Sequence, residues 1–356
     1  MPALTDTPSV LAGQHRSADL EQAIARDPGG FRILTGDRPT GPLHIGHFFG
    51  SLANRVRLQA DGVELLVLIA DYQALTDRAA TDSLPADVLG LVADYLAVGI
   101  DADRATIFAH SQVAALNQLL LPFLSLVSVA EISRNPTVKD EMAATGSGTM
   151  SGLMFAYPVH QAADILACRA NLVPVGKDQL PHLEITRVIA RRFNERYSPG
   201  KPFFAEPDAL LSSAPLLLGL DGRKMGKSMG NAISLRASAD ETARLIARAT
   251  TDSERRISFD PDRRPEVSNL VLIAALCRDE SPAALADSIG DRGAAALKAV
   301  LAEAVNERFA AIRARRAELA ADPGYLGEVL AAGNERARVL ADSTLNAVRQ
   351  LMHTSY

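Results

Sequence analysis

Two spacings of apolar residues divide the chain. Residues 31–35, FRILT, form a β-branched and apolar run that predicts a short buried strand, broken at Gly36. A Gly/Pro passage, Pro39-Thr40-Gly41-Pro42, leads into a segment in which Phe48, Leu52, Val56 and Gln59 recur at helical spacing, predicting a helix over 44–59. Residues 64–70, ELLVLIA, are continuously apolar, the mark of a strand covered on both faces. That run ends in Asp71-Tyr72-Gln73, where polar side chains meet a strand's carboxyl end. An amphipathic helix over 84–98 and a strand over 105–109 follow. Such alternation predicts an α/β fold, a parallel sheet with right-handed crossovers whose ligands bind along the carboxyl edge.

From Ser111 to about Gly200 the rhythm becomes mostly helical. Residues 113–130 are apolar at too many positions for an exposed helix, and 134–150 are polar and glycine-bearing, predicting a mobile loop. Helix, short strand, turn and helix are expected over 151–193, and residues 216–220 as the last strand of the sheet. After Asn231 the Ala-, Leu-, Arg- and Glu-rich spacing predicts helix to the end. At the other end, residues 1–16 read as disordered, and 17–26 as one short helix with Ser17 as its cap, closed by Asp27-Pro28-Gly29-Gly30. Three parts result: an N-terminal extension over 1–30, an α/β domain over 31–230 with a helical insertion at about 111–200, and an all-α domain over 231–356.

Composition narrows the classes. With 47 % apolar residues among 356, a sizeable core is available, yet no run is long and apolar enough to predict a membrane span. No basic segment followed by an apolar one marks a secretory signal at the N-terminus. Cys168 and Cys277 stand far apart in apolar-periodic segments and read as core thiols of a reducing compartment, so a cytoplasmic location is expected. A net charge of −5 gives no bulk argument for a nucleic-acid partner; a local basic surface is needed. Candidates are Arg313, Arg315, Arg316, Arg336, Arg338 and Arg349, and a second group of Arg187, Arg191, Arg192 and Arg196. Such runs are equally solvated faces with acidic partners, and Glu318 and Glu335 are at hand.

Candidate chemistry starts at the first turn. Strand, Gly/Pro loop and helix aim free N–H groups and a helix dipole at an anion. His44-Ile45-Gly46-His47 puts two imidazoles on one helical face, with a glycine between them where a flat ring or a phosphate can approach. Alone, this pair also describes ordinary helix residues or a metal pair. A second element, Asp221-Gly222-Arg223-Lys224-Met225-Gly226-Lys227-Ser228-Met229-Gly230, falls one residue short of a Walker A loop, since Asp221 stands where glycine is required.

Together, TGDRPTGPLHIGHFFGSL and Lys224-Met225-Gly226-Lys227-Ser228 resemble the HIGH and KMSKS motifs of class I aminoacyl-tRNA synthetases, the first most like the tryptophanyl branch. Gly226 replaces the usual serine, which loosens the loop and removes a hydroxyl donor. The resemblance implies a Rossmann-like catalytic domain in which His44, His47, Lys224 and Lys227 are catalytic. It implies ATP contacts from Asp37, Arg38, Pro39, Gly46, His47, Gly176, Lys177, Asp178, Leu216, Lys224, Met225, Gly226, Lys227 and Ser228. An amino-acid carboxylate would attack the α-phosphate and pyrophosphate would leave. The nucleophile is already ionised, so catalysis rests on in-line positioning and charge stabilisation. Mg2+ is expected on the phosphates, with no carboxylate marked as its ligand.

The amino acid is suggested by Tyr157-Pro158-Val159-His160-Gln161-Ala162-Ala163-Asp164-Ile165-Leu166. If Pro158 starts a helix, Tyr157, Gln161 and Asp164 share one face. A carboxylate among Ala and Ile is costly unless a donor meets it, and that donor is either protein or ligand. The segment resembles the YPVxxAADIL stretch of tryptophanyl enzymes, whose Asp accepts the indole N–H, and Val173-Pro174-Val175-Gly176-Lys177-Asp178-Gln179 is similar to their PVGxDQ. The Gly-Gly-x-Asp-Gln form of the tyrosyl branch is missing. By resemblance, tryptophan is bound by Asp164, Gln73, Gln161, Val173, Val175, Gln179 and Leu34. Gln73 stands where many members have His and Gln161 where many have Met, implying a more polar pocket with altered tolerance of analogues. His160 and Asp164 are also spaced as a metal pair, but lack a third ligand nearby, so no metal site is assigned. The family's activity would be ligation of L-tryptophan to tRNA(Trp) by a homodimer joined partly through residues 151–166, with the helical domain reading the anticodon. Rivals are a tyrosyl enzyme, a small-molecule nucleotidyltransferase with an HxGH motif, and a non-catalytic paralogue that binds tRNA or a protein.

Overall fold

The structure, a computed structural model, describes residues 8–76, 81–136, 138–139, 150–176, 179–211 and 215–356. Five strands, β1 (Arg32–Asp37), β2 (Glu64–Ile69), β3 (Ala105–Ala109), β4 (Leu172–Val175) and β5 (Asp208–Leu211), form one parallel sheet in the order β3-β2-β1-β4-β5. The winding reverses at β1, so a crevice opens beyond the carboxyl ends of β1 and β4, where parallel sheets of this kind bind ligands. In β2, Leu65, Val67 and Ile69 face one apolar cluster and Leu66 and Leu68 the other, which accounts for the unbroken apolar run.

Helices cover both faces. α1 is Pro8–Arg26, α2 Ile45–His47, α3 Ala53–Asp61, α4 Leu84–Ala97, α5 Ala114–Leu124, α6 Val129–Ser133, α7 Gly152–Ala167 and α8 Leu180–Tyr197. Beyond the sheet lie α9 (Ala239–Ala247), α10 (Pro265–Arg278), α11 (Pro282–Ile289), α12 (Gly293–Ala320) and α13 (Pro323–Leu351). Between α2 and α3 a π-helical turn, Phe48–Leu52, brings the rings of Phe48 and Phe49 within 5.0 and 6.1 Å of Phe309 on α12.

Both sheet edges are sealed. At β5 the Ser17 hydroxyl accepts the Leu211 N–H at 3.0 Å, and Arg16 pairs with Asp208 at 2.7 Å. Ser17 therefore sits inside a helix that begins at Pro8, not at its cap, and residues 8–16 are helical rather than disordered. At β3 the closing element is α13. Asn334 Oδ1 accepts the Ala109 N–H at 2.9 Å, and Arg336 donates to the carbonyls of Ala102 and Ala105. Gly333 makes this approach possible, since a Cβ there would lie 1.8 Å from the Ile107 carbonyl oxygen. Gly333→Ala must lift the helix off the strand, and urea denaturation is expected to show a loss of at least the ~1–3 kcal/mol typical of overpacking.

Three further expectations are corrected. Residues 216–220 are not a strand: Leu216 is 78 % exposed, and the side chain of Asn269 takes both the N–H and the C=O of Leu218. Pro158 lies inside α7, which starts earlier because Ser151 caps it by accepting the Met154 N–H at 3.1 Å. The chain after Asn231 is not helical at once. Residues 231–238 run beside the first motif, with Ile45 N–H donating to Ile233 and Leu235 N–H to Leu43. Most of the loop predicted over 134–150 lies outside the described residues.

The arginine groups are largely used within the chain. Arg315 donates to Leu96 O, Arg316 to Asp94, Arg336 to strand-edge carbonyls and Arg349 to Gln118. Arg338 pairs with Glu335, Arg191 with Glu206 and Arg192 with Glu131. No described helix is long and apolar enough to cross a membrane.

Candidate active site

Gly36 and Asp37 end β1, and the turn after them returns the chain to His44 below the next helix. Asp37 is locked there: Arg55 NH1 and Tyr95 Oη donate to its Oδ2 at 2.7 and 2.9 Å. Burial alone would raise its pKa, but the charges of Arg55 and His47 and these hydrogen bonds outweigh it and hold the carboxyl at about 2. The anion beside the first motif is thus permanent and internally paired.

The rings of His44 and His47 lie with centroids 3.7 Å apart, tilted at 51° to each other. The His44 N–H donates to His47 Nδ1 at 3.2 Å, which leaves neutral His47 with its proton on Nε2, a donor. Burial lowers His44 to about 3 and His47 to about 4, so both stay neutral near pH 7. A pH–rate profile of the first chemical step is accordingly expected to lack a histidine transition near 6.5.

The second motif reaches the first. A Cβ on Gly46 would meet Met225 Sδ and His44 at 3.0 Å, so this glycine permits the contact between the two loops. Lys227 Nζ donates to the Arg38 carbonyl at 3.4 Å, and its pKa is lowered, chiefly by burial. Asn231 ties the loop, accepting from Gly226 N–H and donating to Asp221 and to the Lys224 carbonyl. Lys224 is exposed, its backbone bridged to Leu218. Pro39 is buried in the turn. Leu216, expected at the nucleotide, stands in solvent and lines no part of the cavity. Lys177 and Asp178, and the side chain of Ser228, lie outside the described residues.

A cavity of about 240 Å³ opens beside Asp37 and Arg38; His44, Gly46, His47, Lys224, Met225, Gly226 and Lys227 are not among the residues that line it. It brings together Leu34, Asp37, Arg38, Gln73, Gln161, Asp164, Val173, Val175, Gly176 and Gln179 from the sequence reading. It adds Arg55, Thr35, Ser51 and Tyr157. Arg55 carried one usable signal, a charge on the buried stripe of α3, where it is 3 % exposed.

At the inner end, α7 presents Tyr157, Gln161 and Asp164 on one face. Asp164 is 3 % exposed. Its Oδ2 accepts from Gln73 Nε2 at 3.0 Å, and its Oδ1 has no hydrogen-bond partner among the described residues. Burial raises this carboxyl well above the usual range, Asp71 adds to the rise, and only Gln73 opposes it. The sequence reading missed His110, whose Nε2 lies 3.6 Å from Asp164 Oδ1 and 3.2 Å from His160 Nε2. The third group that His160 and Asp164 lacked in the sequence is therefore present in space.

Residues 27–310 match the family model described as tRNA synthetases class I (W and Y). A tryptophan–tRNA ligase of Streptococcus pyogenes serotype M1 is 41 % identical over 337 residues, covering 91 % of this chain and 98 % of that protein. One from Streptococcus pneumoniae serotype 4 is 41 % identical over 336 residues, with the same coverage. The structure of tryptophanyl-tRNA synthetase from Campylobacter jejuni complexed with ADP and tryptophan aligns with a TM-score of 0.79 and 30 % identity, over 90 % of this chain and 99 % of that one. The chain belongs to the class I tRNA synthetases of the tryptophan and tyrosine branch.

Proposed function

We infer that this chain is a tryptophan–tRNA ligase. It activates L-tryptophan with ATP to tryptophanyl-adenylate and pyrophosphate, then passes the tryptophanyl group to tRNA(Trp). The observation that carries the reading is Asp164 Oδ1, a buried acceptor without a hydrogen-bond partner among the described residues, on a residue that lines the same cavity as Asp37 and Arg38. Its complement is a flat apolar ring with one N–H donor. Phenylalanine leaves the oxygen unpaired, and tyrosine offers its donor at the wrong place. A missing polar partner of this kind supports discrimination of ~10⁴ or more.

In this reading Leu34, Val173 and Val175 flank the ring, and Tyr157, Gln161 and Gln179 face the rest of the amino acid. The substrate carboxylate oxygen bonds to the α-phosphorus as the bond to pyrophosphate breaks. Neutral His47 donates to the phosphate side, and Lys227 balances charge on the departing pyrophosphate. Lys224, exposed here, takes a lesser share. Mg2+ prefers oxygen ligands, and the one metal-like group among the described residues, His110, His160 and Asp164, is rich in nitrogen, so no described side-chain set fits that ion. We also propose a cytoplasmic homodimer. A hollow lined by Val127, Ile132, Ile185 and Val188 together with Glu131, Arg134 and Glu184 adjoins α6, where Val129 is 69 % exposed, and sedimentation velocity reads the stoichiometry directly.

Tryptophan-dependent ATP–pyrophosphate exchange tests the assignment, with tyrosine and phenylalanine as controls. Exchange driven by tyrosine in preference to tryptophan overturns it. The same assay has a pH signature. Asp164 accepts an N–H well only when ionised, and its pKa is raised, so the affinity is present above that raised pKa and lost as pH falls through it. The KM for tryptophan is expected to rise on acidification from a pH above the ordinary carboxylate range, and Asp164→Asn to flatten that dependence.

A further inference from the structure

Three segments that share no motif meet behind Asp164. Gln73 belongs to the turn after β2, His110 to the turn after β3, and His160 to α7. Gln73 Nε2 lies 3.0 Å from Asp164 Oδ2, Gln73 Oε1 lies 3.2 Å from His110 Nδ1, and His110 Nε2 lies 3.2 Å from His160 Nε2. All four side chains are buried, with no more than 4 % of any residue exposed.

Donor and acceptor chemistry gives this row one direction. An ionised Asp164 only accepts, so the amide nitrogen of Gln73 must face it. The amide oxygen then faces His110, and because a carbonyl only accepts, His110 Nδ1 must carry the proton. Burial lowers His110 to about 3 and His160 to about 4, so both rings are neutral. Neutral His110 therefore has a bare Nε2, and His160 Nε2–H must donate to it.

The consequence lies at the free oxygen. His110 Nε2 is 3.6 Å from Asp164 Oδ1. In the opposite tautomer it would present a proton there and compete with the substrate's own donor. In the tautomer required by Gln73 and His160 it carries no proton, and its one lone pair accepts from His160. We propose that His110 and His160 are positioning residues for amino-acid selection: they hold Gln73 and Asp164 in one polarity and withhold a protein donor from Oδ1, so that the ring N–H of the substrate must supply it. The proposal rests on the tryptophan reading above.

Two measurements on the full chain test it. With 15N-labelled histidine, His110 is expected as the Nδ1–H tautomer and His160 as the Nε2–H tautomer, at neutral pH and without ligand. His110 carrying its proton on Nε2 overturns the proposal. In pyrophosphate exchange, His160→Leu removes the donor to His110 and is expected to raise the KM for tryptophan about tenfold, about what one buried hydrogen bond supplies, with the loss falling on KM rather than kcat. His160→Gln offers an amide N–H in its place and is expected to restore most of the affinity. Equal behaviour of the two variants, or an unchanged KM in both, overturns it. So does stoichiometric Co2+ binding that His160→Leu abolishes, because the imidazoles would then be metal ligands rather than links in a chain. A wild-type protein that fails to activate tryptophan overturns the functional reading instead, while the tautomers remain measurable.

Discussion

Replacing Lys227 by alanine lowers the rate of tryptophanyl-adenylate formation by about 10²–10³, the range seen when one preorganised charge-stabilising group is removed from an active site. The position explains the size. Lys227 is held against the carbonyl of Arg38, a residue that lines the cavity, and is close enough to His44 and His47 to depress their basicity. A cation fixed there meets the charge that develops as pyrophosphate departs and needs no reorganisation to do so. The tryptophan site proposed above lies at the Asp164 end of the cavity, so the KM for tryptophan is expected to move little. Lys224→Ala, at an exposed position, is expected to cost less. Single-turnover quench of labelled ATP with each variant measures both effects, and equal losses from the two lysines would require the loop to close further than it does here.

Asp94→Ala destabilises the fold by about 3–5 kcal/mol, the typical cost of breaking a buried ion pair from one side. The Asp94 carboxylate is fully buried and accepts from Arg236 at 2.9 Å and from Arg316 at 2.7 Å. The Leu43 N–H adds a weaker donor at 3.4 Å. One side chain of α4 thereby joins the turn before the first motif, the segment after the second motif and α12. Both arginines reach solvent, at 25 % and 18 % side-chain exposure, which places the loss toward the lower end of the range. Urea denaturation followed by circular dichroism gives the value. Because Asp94 anchors the segments that carry both motifs, the folded fraction of the variant is also expected to show slower adenylate formation.

The sequence made legible those features whose cause is local. The continuous apolar run of β2 announced a strand buried on both faces. Strand, Gly/Pro turn and paired histidines announced the turn after β1 that sets the two imidazoles side by side. A carboxylate among small apolar residues on α7 announced a buried acceptor. What stayed hidden depends on partners distant in the chain. Leu218 has strand-like neighbours, but its backbone groups are satisfied by Asn269, 51 residues away. Ser17 has the look of a helix cap, yet its hydroxyl is taken up by the edge of β5. His110 carries no periodic signal linking it to His160, 50 residues on, and only the sheet brings the two rings together. The arginines of α12 and α13 read as a basic surface, while several of them finish α4 and the β3 edge from outside. Lys177 and Asp178, expected at the nucleotide, lie outside the described residues.

The whole account turns on whether one oxygen at the end of the cavity selects the substrate by its ring N–H. The direct measurement is kcat/KM for tryptophan against its benzothienyl isostere, in which sulfur replaces the indole N–H, for wild type and Asp164→Ala. The account predicts that wild type rejects the isostere by at least ~10², and that Asp164→Ala lowers activity with tryptophan and reduces the preference to near unity. A wild-type protein that uses the isostere as well as tryptophan, or an Asp164→Ala variant that still prefers tryptophan by the full ratio, would contradict it.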